Sequence, residues 1–157
     1  MSTTPIITKD QLLKHWLGHR DLTRRVIEKF PEREFFEFSV GGMRPMSELT
    51  AELMAVGPAG IKAIATNDTT APFEHAAFKT KAEYLEQWDK DTETINRYWP
   101  EVGEERFPEM FNLFGQYNFP ILWNIMYFID NEIHHRGQGF VYLRALGIEP
   151  PFFWDRP

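Results

Sequence analysis

The chain has 157 residues, of which 43% are hydrophobic and 15% aromatic, and it contains no cysteine. This composition suits one folded domain over residues 1–157, excludes a disordered chain, and excludes disulfides, thiolate metal ligands and a cysteine nucleophile. The formal net charge is −6 with both signs interspersed, which argues against a nucleic-acid interface because such an interface needs a basic face.

The N-terminal residues 1–5 have no basic region followed by an apolar core, so we expect no signal peptide. The most apolar stretch, residues 119–133, is interrupted by polar side chains and is too short to span a bilayer. We therefore expect a cytoplasmic protein that does not act at a membrane.

The first predicted helix begins with Thr8 and Gln11, which have the spacing of a capping box, and it ends before Pro31. His15 and His19 lie one turn apart on this helix. They could form a metal pair or be two polar histidines flanking an amphipathic surface. The second interpretation is favoured, because no carboxylate completes a ligand set there.

Residues 32–45 are predicted to be a connection, and Ser47 is the predicted N-cap of the second helix. Glu52 lies beside the apolar face of this helix. Pro58 lacks the N–H group that an unbroken helix needs, so the sequence predicts a kink or a break there. The helix should resume and end at residues 67–68.

The third helix is predicted to begin with a second capping box, formed by Thr80 and Glu83, and to stop at Pro100. A loop over residues 101–117 follows, with a short helical turn predicted at residues 109–114. These elements contain no alternating strand pattern.

The fourth helix should be the longest, beginning after Asn118 and ending at Leu146. Asn131 and His135 are four residues apart and share one face of it. Polar groups on an apolar helix must face water, a partner or an ion, because burying them unpaired is costly. This segment is therefore predicted to form one wall of a polar pocket.

Four long helices predict an all-α fold, a four-helix bundle. Trp123 and Tyr127 precede the polar segment by two turns and one turn and are interpreted as core residues. The apolar tail at residues 152–154 is expected to pack back on the bundle or on a second subunit.

The C-terminal motif His134-His135-Arg136-Gly137-Gln138, with the segments at 141–144 and 146–151, resembles the DinB/YfiT-like superfamily of metalloenzymes. The segment at residues 44–53 resembles the opening of that family's second helix. The resemblance implies an up-down-down-up bundle, often a homodimer, with a divalent metal ion between the helices.

The family's usual metal ligands are one histidine on the second helix and a His-x-x-x-His pair on the fourth. By resemblance these positions are Glu52, Asn131 and His135, and only His135 keeps the usual residue type. Zinc, nickel, iron or manganese would be the metal, although two oxygen donors and one nitrogen suit a transition metal less well. His134 or Glu132 could join such a site by a local shift.

The alternative is a pocket without metal, in which Glu52 binds His135 or pairs with Arg136, and this alternative is slightly favoured. The motif implies cofactor or substrate contacts for Arg136 and Gln138, although an ion pair is the favoured interpretation of Arg136.

The resemblance implies a metal-dependent enzyme related to transferases and isomerases that act on a small-molecule substrate with a thiol cosubstrate. His135 and Glu52 would then be the catalytic residues. The alternative function is a stress-response or ligand-binding bundle that has lost the metal. DNA binding, suggested by the superfamily's link with DNA-damage induction, is disfavoured by the acidic charge.

Overall fold

The structure, a computed structural model, describes residues 4–157, so part of the segment used for the signal-peptide expectation lies outside the described residues. Two 3₁₀ turns, Trp99–Glu101 and Glu104–Arg106, follow the fourth of its helices. The α-helices and strands in chain order are α1 (Lys9–Lys29), α2 (Glu32–Glu37), α3 (Met46–Thr66), α4 (Lys81–Tyr98), β1 (Met110–Leu113), β2 (Tyr117–Pro120) and α5 (Ile121–Ala145). In this described part of the chain, no helix is long and apolar enough to cross a membrane.

Local sequence signals fix the ends of α1 and α4. Thr8 and Thr80 are the N-caps, and each forms the reciprocal hydrogen bonds of a capping box with Gln11 and Glu83 respectively. Both capping predictions are therefore confirmed. At the other end of the chain, Gly147 follows α5 with φ of 75°, the left-handed conformation that the predicted stop requires.

The four long helices form a bundle in which α1 and α3 occupy diagonal corners, each packed against α4 and α5. The side chain of Lys9 reaches Val102 beyond the end of α4, and Lys81 at the start of α4 reaches Phe30, so α1 and α4 are antiparallel. Glu52 contacts His135 while Tyr142 contacts Arg44, so α3 and α5 are antiparallel as well. Together with the parallel pair α1 and α5, this gives the expected up-down-down-up order.

Two apolar clusters fill the bundle, one at each end. Trp16 and Phe128 are central to the first cluster, and Phe35 and Trp88 to the second. Between them, α1 and α5 contribute a layer of buried polar side chains at residues 19–23 and 131–136. The predicted polar segment of the fourth helix therefore lies at mid-height in the bundle.

The break predicted in the second helix is absent, because α3 runs through Pro58 as one helix. Glycines on both sides of the proline bring α3 close to large side chains. A Cβ on Gly57 would lie 3.0 Å from the Trp16 ring, and one on Gly60 would overlap the ring of Phe128. Close packing against Trp16 and Phe128 thus stabilises α3, although Pro58 has no N–H group to donate to the preceding turn.

Four other local predictions are wrong. Residues 32–37 form a short helix, α2, rather than a plain connection, and the N-cap of α3 is Pro45 rather than Ser47. The predicted helical turn at 109–114 is instead the first half of an antiparallel hairpin, in which Leu113 pairs with Tyr117. Asn118 lies in β2, and Pro120 is the N-cap of α5.

The C-terminal aromatic side chains are exposed rather than packed on the bundle, with exposed fractions of 57%, 65% and 63% for Phe152, Phe153 and Trp154. The residues after them do contact α1: Asp155 accepts from Arg25, and Arg156 lies against His19. Polar contacts therefore attach the end of the chain to the bundle.

The two helical glycines Gly60 and Gly137 should respond to alanine with opposite signs. Gly60→Ala should lower the free energy of unfolding by about 1 kcal/mol, because overpacking against the buried Phe128 ring costs more than the gain in helix propensity. Gly137→Ala should raise it by about 0.5–1 kcal/mol, because nothing lies within 4 Å of the new Cβ. Urea denaturation of both variants tests this, and stabilisation by Gly60→Ala would contradict the packing described here.

Candidate functional site

The centre of the candidate site is a direct contact between Glu52 on α3 and His135 on α5. Nε2 of His135 lies 2.9 Å from Oε1 of Glu52. Both side chains are largely removed from solvent, with exposed fractions of 17% and 9%. The antiparallel packing of α3 on α5 therefore brings together two of the three residues that the sequence predicted for this site.

Arg44, which the sequence did not indicate as a site residue, completes this centre. Its guanidinium lies 2.6 Å from Oε2 of Glu52, the oxygen that does not contact His135. The hydroxyl of Tyr142 donates to the carbonyl oxygen of Arg44 at 2.8 Å, which positions the segment before α3. Glu52 is thus paired with Arg44, and the sequence-based alternative of a pair with Arg136 is wrong.

These contacts determine the charge of Glu52. Partial burial raises the pKa of a carboxyl group, but the hydrogen bonds from Arg44 and His135 outweigh burial, so the pKa of Glu52 lies below its usual value. Glu52 is therefore ionised at neutral pH, and it is a weaker proton acceptor than an ordinary glutamate.

The other residues of the motif near His135 are placed less favourably for ligand contact. Asn131 is 7% exposed, and its buried Nδ2 has no hydrogen-bond partner among the described residues. Gln138 makes two long contacts of 3.4 Å, with Nδ1 of His135 and Nε2 of His134. His134 is exposed and stands edge-on to His135. Gln138 thus joins the two histidines at the edge of the site.

Arg136 faces α1, whereas His135 beside it in sequence faces Glu52 on α3. It is 5% exposed, and its guanidinium donates to the carbonyl oxygen of His19 at 3.1 Å and to Oγ1 of Thr23 at 3.2 Å. Glu132 also faces α1, where Oε1 accepts from Thr23 at 2.7 Å and Oε2 lies 3.8 Å from Arg20. Both residues belong to an interhelical polar network, which favours the structural interpretation of Arg136.

His19 belongs to the same network. Its Nδ1 lies 2.9 Å from the Arg136 guanidinium, and its Nε2 lies 2.6 Å from Arg156. Burial, and then the charges of Arg136 and Arg156, lower the pKa of His19 to about 3. A neutral imidazole has one acceptor nitrogen, so His19 accepts a hydrogen bond from one of the two guanidinium groups at a time. Across residues 4–157, no carboxylate joins His15 and His19 in a group that could hold a metal ion.

A cavity of about 230 Å³ opens onto Glu52. Aromatic side chains from the hairpin, from α5 and from the loop after α3 dominate its wall. The lining residues are Glu52, Val56, Phe73, His75, Leu113, Phe114, Tyr117 and Tyr127. Glu52 therefore supplies a charged edge to an otherwise largely aromatic cavity.

Phe114, which lines this cavity, has φ of 54°, a left-handed conformation that is unusual for a bulky residue. The hairpin turn sets this conformation and presses Phe114 against Phe73, with ring centroids 5.4 Å apart. The tight turn and the contact with Phe73 therefore hold Phe114 in place in the cavity wall.

The donor atoms at Glu52, Asn131 and His135 do not fit a divalent metal ion. Both oxygens of Glu52 are engaged, and Nε2 of His135 is directed at one of them. The third position offers only an amide, a weak ligand for zinc, nickel or iron. Within residues 4–157, no three His, Cys, Asp or Glu side chains are grouped closely enough to hold a metal ion.

The fold is an up-down-down-up helical bundle in which α1 and α3 lie on one diagonal. The Glu52–His135 pair joins α3 to α5 beside the cavity. A model of the DinB family matches residues 1–155. The chain belongs to the DinB family.

Similar proteins come from two Bacillus species. The uncharacterized protein YjoA of Bacillus subtilis (strain 168) is 22% identical over 150 residues, covering 94% of this chain and 97% of YjoA. The crystal structure of YjoA, a DinB-like protein, superposes with a TM-score of 0.76 over 93% of this chain and 99% of YjoA. That of a DinB-like protein from Bacillus cereus ATCC 10987, 15% identical, has a TM-score of 0.72 over 92% and 97% of the two chains. These likenesses confirm the fold.

Two groups of residues at the site escaped prediction from sequence. Arg44 is part of residues 44–53, the segment that resembles the opening of the family's second helix, but its sequence position relative to Glu52 does not indicate that the two residues pair. Tyr117 and Tyr127 stack at 6.4 Å between ring centroids and line the cavity, whereas Tyr127 was interpreted as a core residue. Gly115, in a short segment between two apolar runs, is a hairpin signal that could have revealed the wall containing Tyr117.

Proposed function

We propose that this DinB-family protein binds a small organic molecule in the Glu52 cavity and that it does so without a divalent metal ion. The observation that carries the proposal is that each oxygen of Glu52 has one partner, with Arg44 at 2.6 Å from one oxygen and His135 at 2.9 Å from the other. Each oxygen keeps a second lone pair that can accept from a bound molecule. The guanidinium supplies the positive charge that a metal ion would otherwise supply to this carboxylate.

The state of Glu52 favours recognition over proton transfer. A general base works best when its pKa lies near the operating pH, and the pKa of Glu52 is instead lowered by Arg44 and His135 against the opposing effect of burial. A held, ionised carboxylate is suited to accept a hydrogen bond from an N–H or O–H group of a bound molecule. His135 then serves as a positioning residue that orients Glu52 toward the cavity.

A second candidate function is a metal-dependent enzyme that acts with a low-molecular-weight thiol. It is favoured by the close approach of the residues at two of the family's ligand positions, Glu52 and His135. In this alternative, Arg44 would have to leave Glu52 before the carboxylate could bind an ion. The two candidates therefore differ in the measured affinity for metal.

A metal titration of the wild type and of Asn131→His separates them. We expect no stoichiometric zinc, nickel or manganese binding by the wild type at micromolar concentrations. Asn131→His should raise zinc affinity by about ten-fold or more, because it adds a second imidazole one turn from His135. Isothermal titration calorimetry on protein without an affinity tag measures both.

The double variant Asn131→His/His135→Ala is the control and should lose the gain in zinc affinity that Asn131→His produces. Tight wild-type zinc binding that disappears in His135→Ala would overturn the metal-free proposal and favour the thiol-dependent enzyme.

Thermal-shift screening of small molecules tests ligand binding in the Glu52 cavity. A stabilising molecule whose effect is lost in Glu52→Gln supports the proposed cavity, and an unchanged effect places binding elsewhere.

A further inference from the structure

A larger cleft lies on the other side of the stacked pair Tyr117 and Tyr127, between β2 and the first half of α5. Its volume is about 610 Å³, within the range of small-molecule sites. Its lining residues are Tyr117, Phe119, Pro120, Trp123, Asn124, Met126, Tyr127 and Asp130. Only the two tyrosines are shared with the Glu52 cavity.

The aromatic side chains of this cleft are exposed to solvent. Trp123 is 64% exposed, Phe119 54% and Tyr127 45%. Trp123, Tyr127 and Asp130 follow at intervals of four and three residues, so they lie along one face of α5. Several exposed aromatic rings thus lie beside one carboxylate.

The cleft combines two acceptor groups, from Asp130 and Asn124, with the hydroxyl groups of its two tyrosines and the N–H group of Trp123. Asp130 is the one charged residue among those lining the cleft, and it forms no ion pair with any residue from 4 to 157. The amide nitrogen of Asn124 donates to the carbonyl oxygens of Phe111 at 3.3 Å and Phe119 at 3.2 Å. Asn124 therefore has its carbonyl oxygen, rather than its N–H groups, to offer a ligand.

We infer that this cleft is a binding site for an organic cation, a substituted ammonium with an apolar body. Aromatic faces attract an ammonium group through the ring quadrupole, and a nearby carboxylate adds charge complementarity. The apolar walls accommodate the alkyl or aryl part of such a molecule. The inference is independent of the proposed function, because Trp123 and Asp130 do not line the Glu52 cavity.

Titration with phenyltrimethylammonium, compared with its neutral isostere tert-butylbenzene and with benzoate, tests the inference by calorimetry on the full chain. The cation should bind about ten-fold more tightly than the neutral isostere, in keeping with cation–π attraction in a partly desolvated site. Benzoate should bind most weakly because it meets the carboxylate of Asp130. Raising the salt concentration should weaken binding of the cation.

Variants locate the binding site. Asp130→Asn and Trp123→Ala should each weaken cation binding about three- to ten-fold. Trp154→Ala removes another exposed tryptophan, which is 63% exposed and lies outside the cleft, and should leave binding unchanged. Glu52→Gln should also leave it unchanged, so that failure of this inference is distinguishable from failure of the proposed function.

Three results would overturn the inference. Equal affinities for the cation and the neutral isostere would show an apolar site without charge recognition. Cation binding that survives both cleft substitutions would place the site elsewhere. Self-association of the wild type that is abolished by Trp123→Ala in light scattering, without cation binding, would show that a second copy of the chain covers this face.

Discussion

Replacing Glu132 with alanine should lower the free energy of unfolding by about 3–5 kcal/mol, the cost of breaking a buried ion network from one side. Glu132 is 2% exposed and accepts a hydrogen bond from Thr23 at 2.7 Å. Its other oxygen faces Arg20, whose guanidinium is equally buried. The variant would remove the carboxylate that lies between Arg20 and Arg136 in the interior.

Two further substitutions show whether the loss of unfolding free energy in Glu132→Ala comes from the charge of Glu132. Burial raises the pKa of Glu132, while Arg20, Thr23 and Arg136 oppose that rise. Glu132→Gln keeps an acceptor for Thr23 but replaces the charged oxygen that faces Arg20 with an NH2 group, so it should still cost more than 1 kcal/mol, about the price of a buried charge left unpaired. Glu86→Ala, which removes an exposed pair with Lys90, should cost less than about 1 kcal/mol. Chemical denaturation measures all three, and a loss below 1 kcal/mol for Glu132→Ala would contradict an ionised network.

Acidification should destabilise the protein through His19. Burial and the charges of Arg136 and Arg156 lower the pKa of His19 to about 3 in the folded state, whereas a histidine in the unfolded chain has its ordinary value of 6.5. Between these values the unfolded state binds one more proton than the folded state, so stability falls as pH falls, by up to about 1.4 kcal/mol per pH unit. The resulting loss from pH 7.5 to 5.0 is about 2 kcal/mol.

His19→Asn keeps an acceptor near Arg136 but does not titrate, so the difference in unfolding free energy between pH 7.5 and 5.0 should shrink by about 2 kcal/mol. Comparing each variant with itself at two pH values cancels any constant effect of the substitution. His15→Asn is the matched control on the same helix face. The pKa of the exposed His15 is lowered mainly by its partial burial, and a smaller change of the same sign is expected. An unchanged pH dependence in His19→Asn would contradict a neutral, buried His19.

The beginnings of α1 and α4 followed from the sequence because the signals that set them are local, whereas the up-down-down-up order was implied by the family resemblance. Thr8 and Thr80 are next to the groups they cap, and the period of apolar residues identifies each helix face. The hairpin did not follow, because the residues of β1 are buried alternately over only four positions. So short an apolar run is ambiguous between strand and helix until its tertiary partners are known.

The candidate site was predictable only in part. Glu52, Asn131 and His135 could be placed by family resemblance, which assigns positions but not hydrogen-bond partners. The pairing of Arg44 with Glu52 depends on how the segment before α3 approaches α5, which Tyr142 determines across 98 residues of sequence. The orientation of Arg136 toward α1 likewise depends on the rotation of α5 in the bundle.

The hairpin bears on how such proteins can diversify. It supplies the outer walls of both cavities through Phe114, Tyr117 and Phe119. Phe111, Leu113 and Phe114 anchor it in the first apolar cluster, and Asn124 donates to two of its carbonyl oxygens. The side chains of residues 115–119, in the turn and β2, are by contrast exposed, and the polar layer of α1 and α5 contains no hairpin residue. Substitutions at the exposed residues 115–119 can therefore alter which molecules are accepted while the buried anchors of the hairpin are retained, which makes the turn and β2 the natural place to engineer new ligand selectivity.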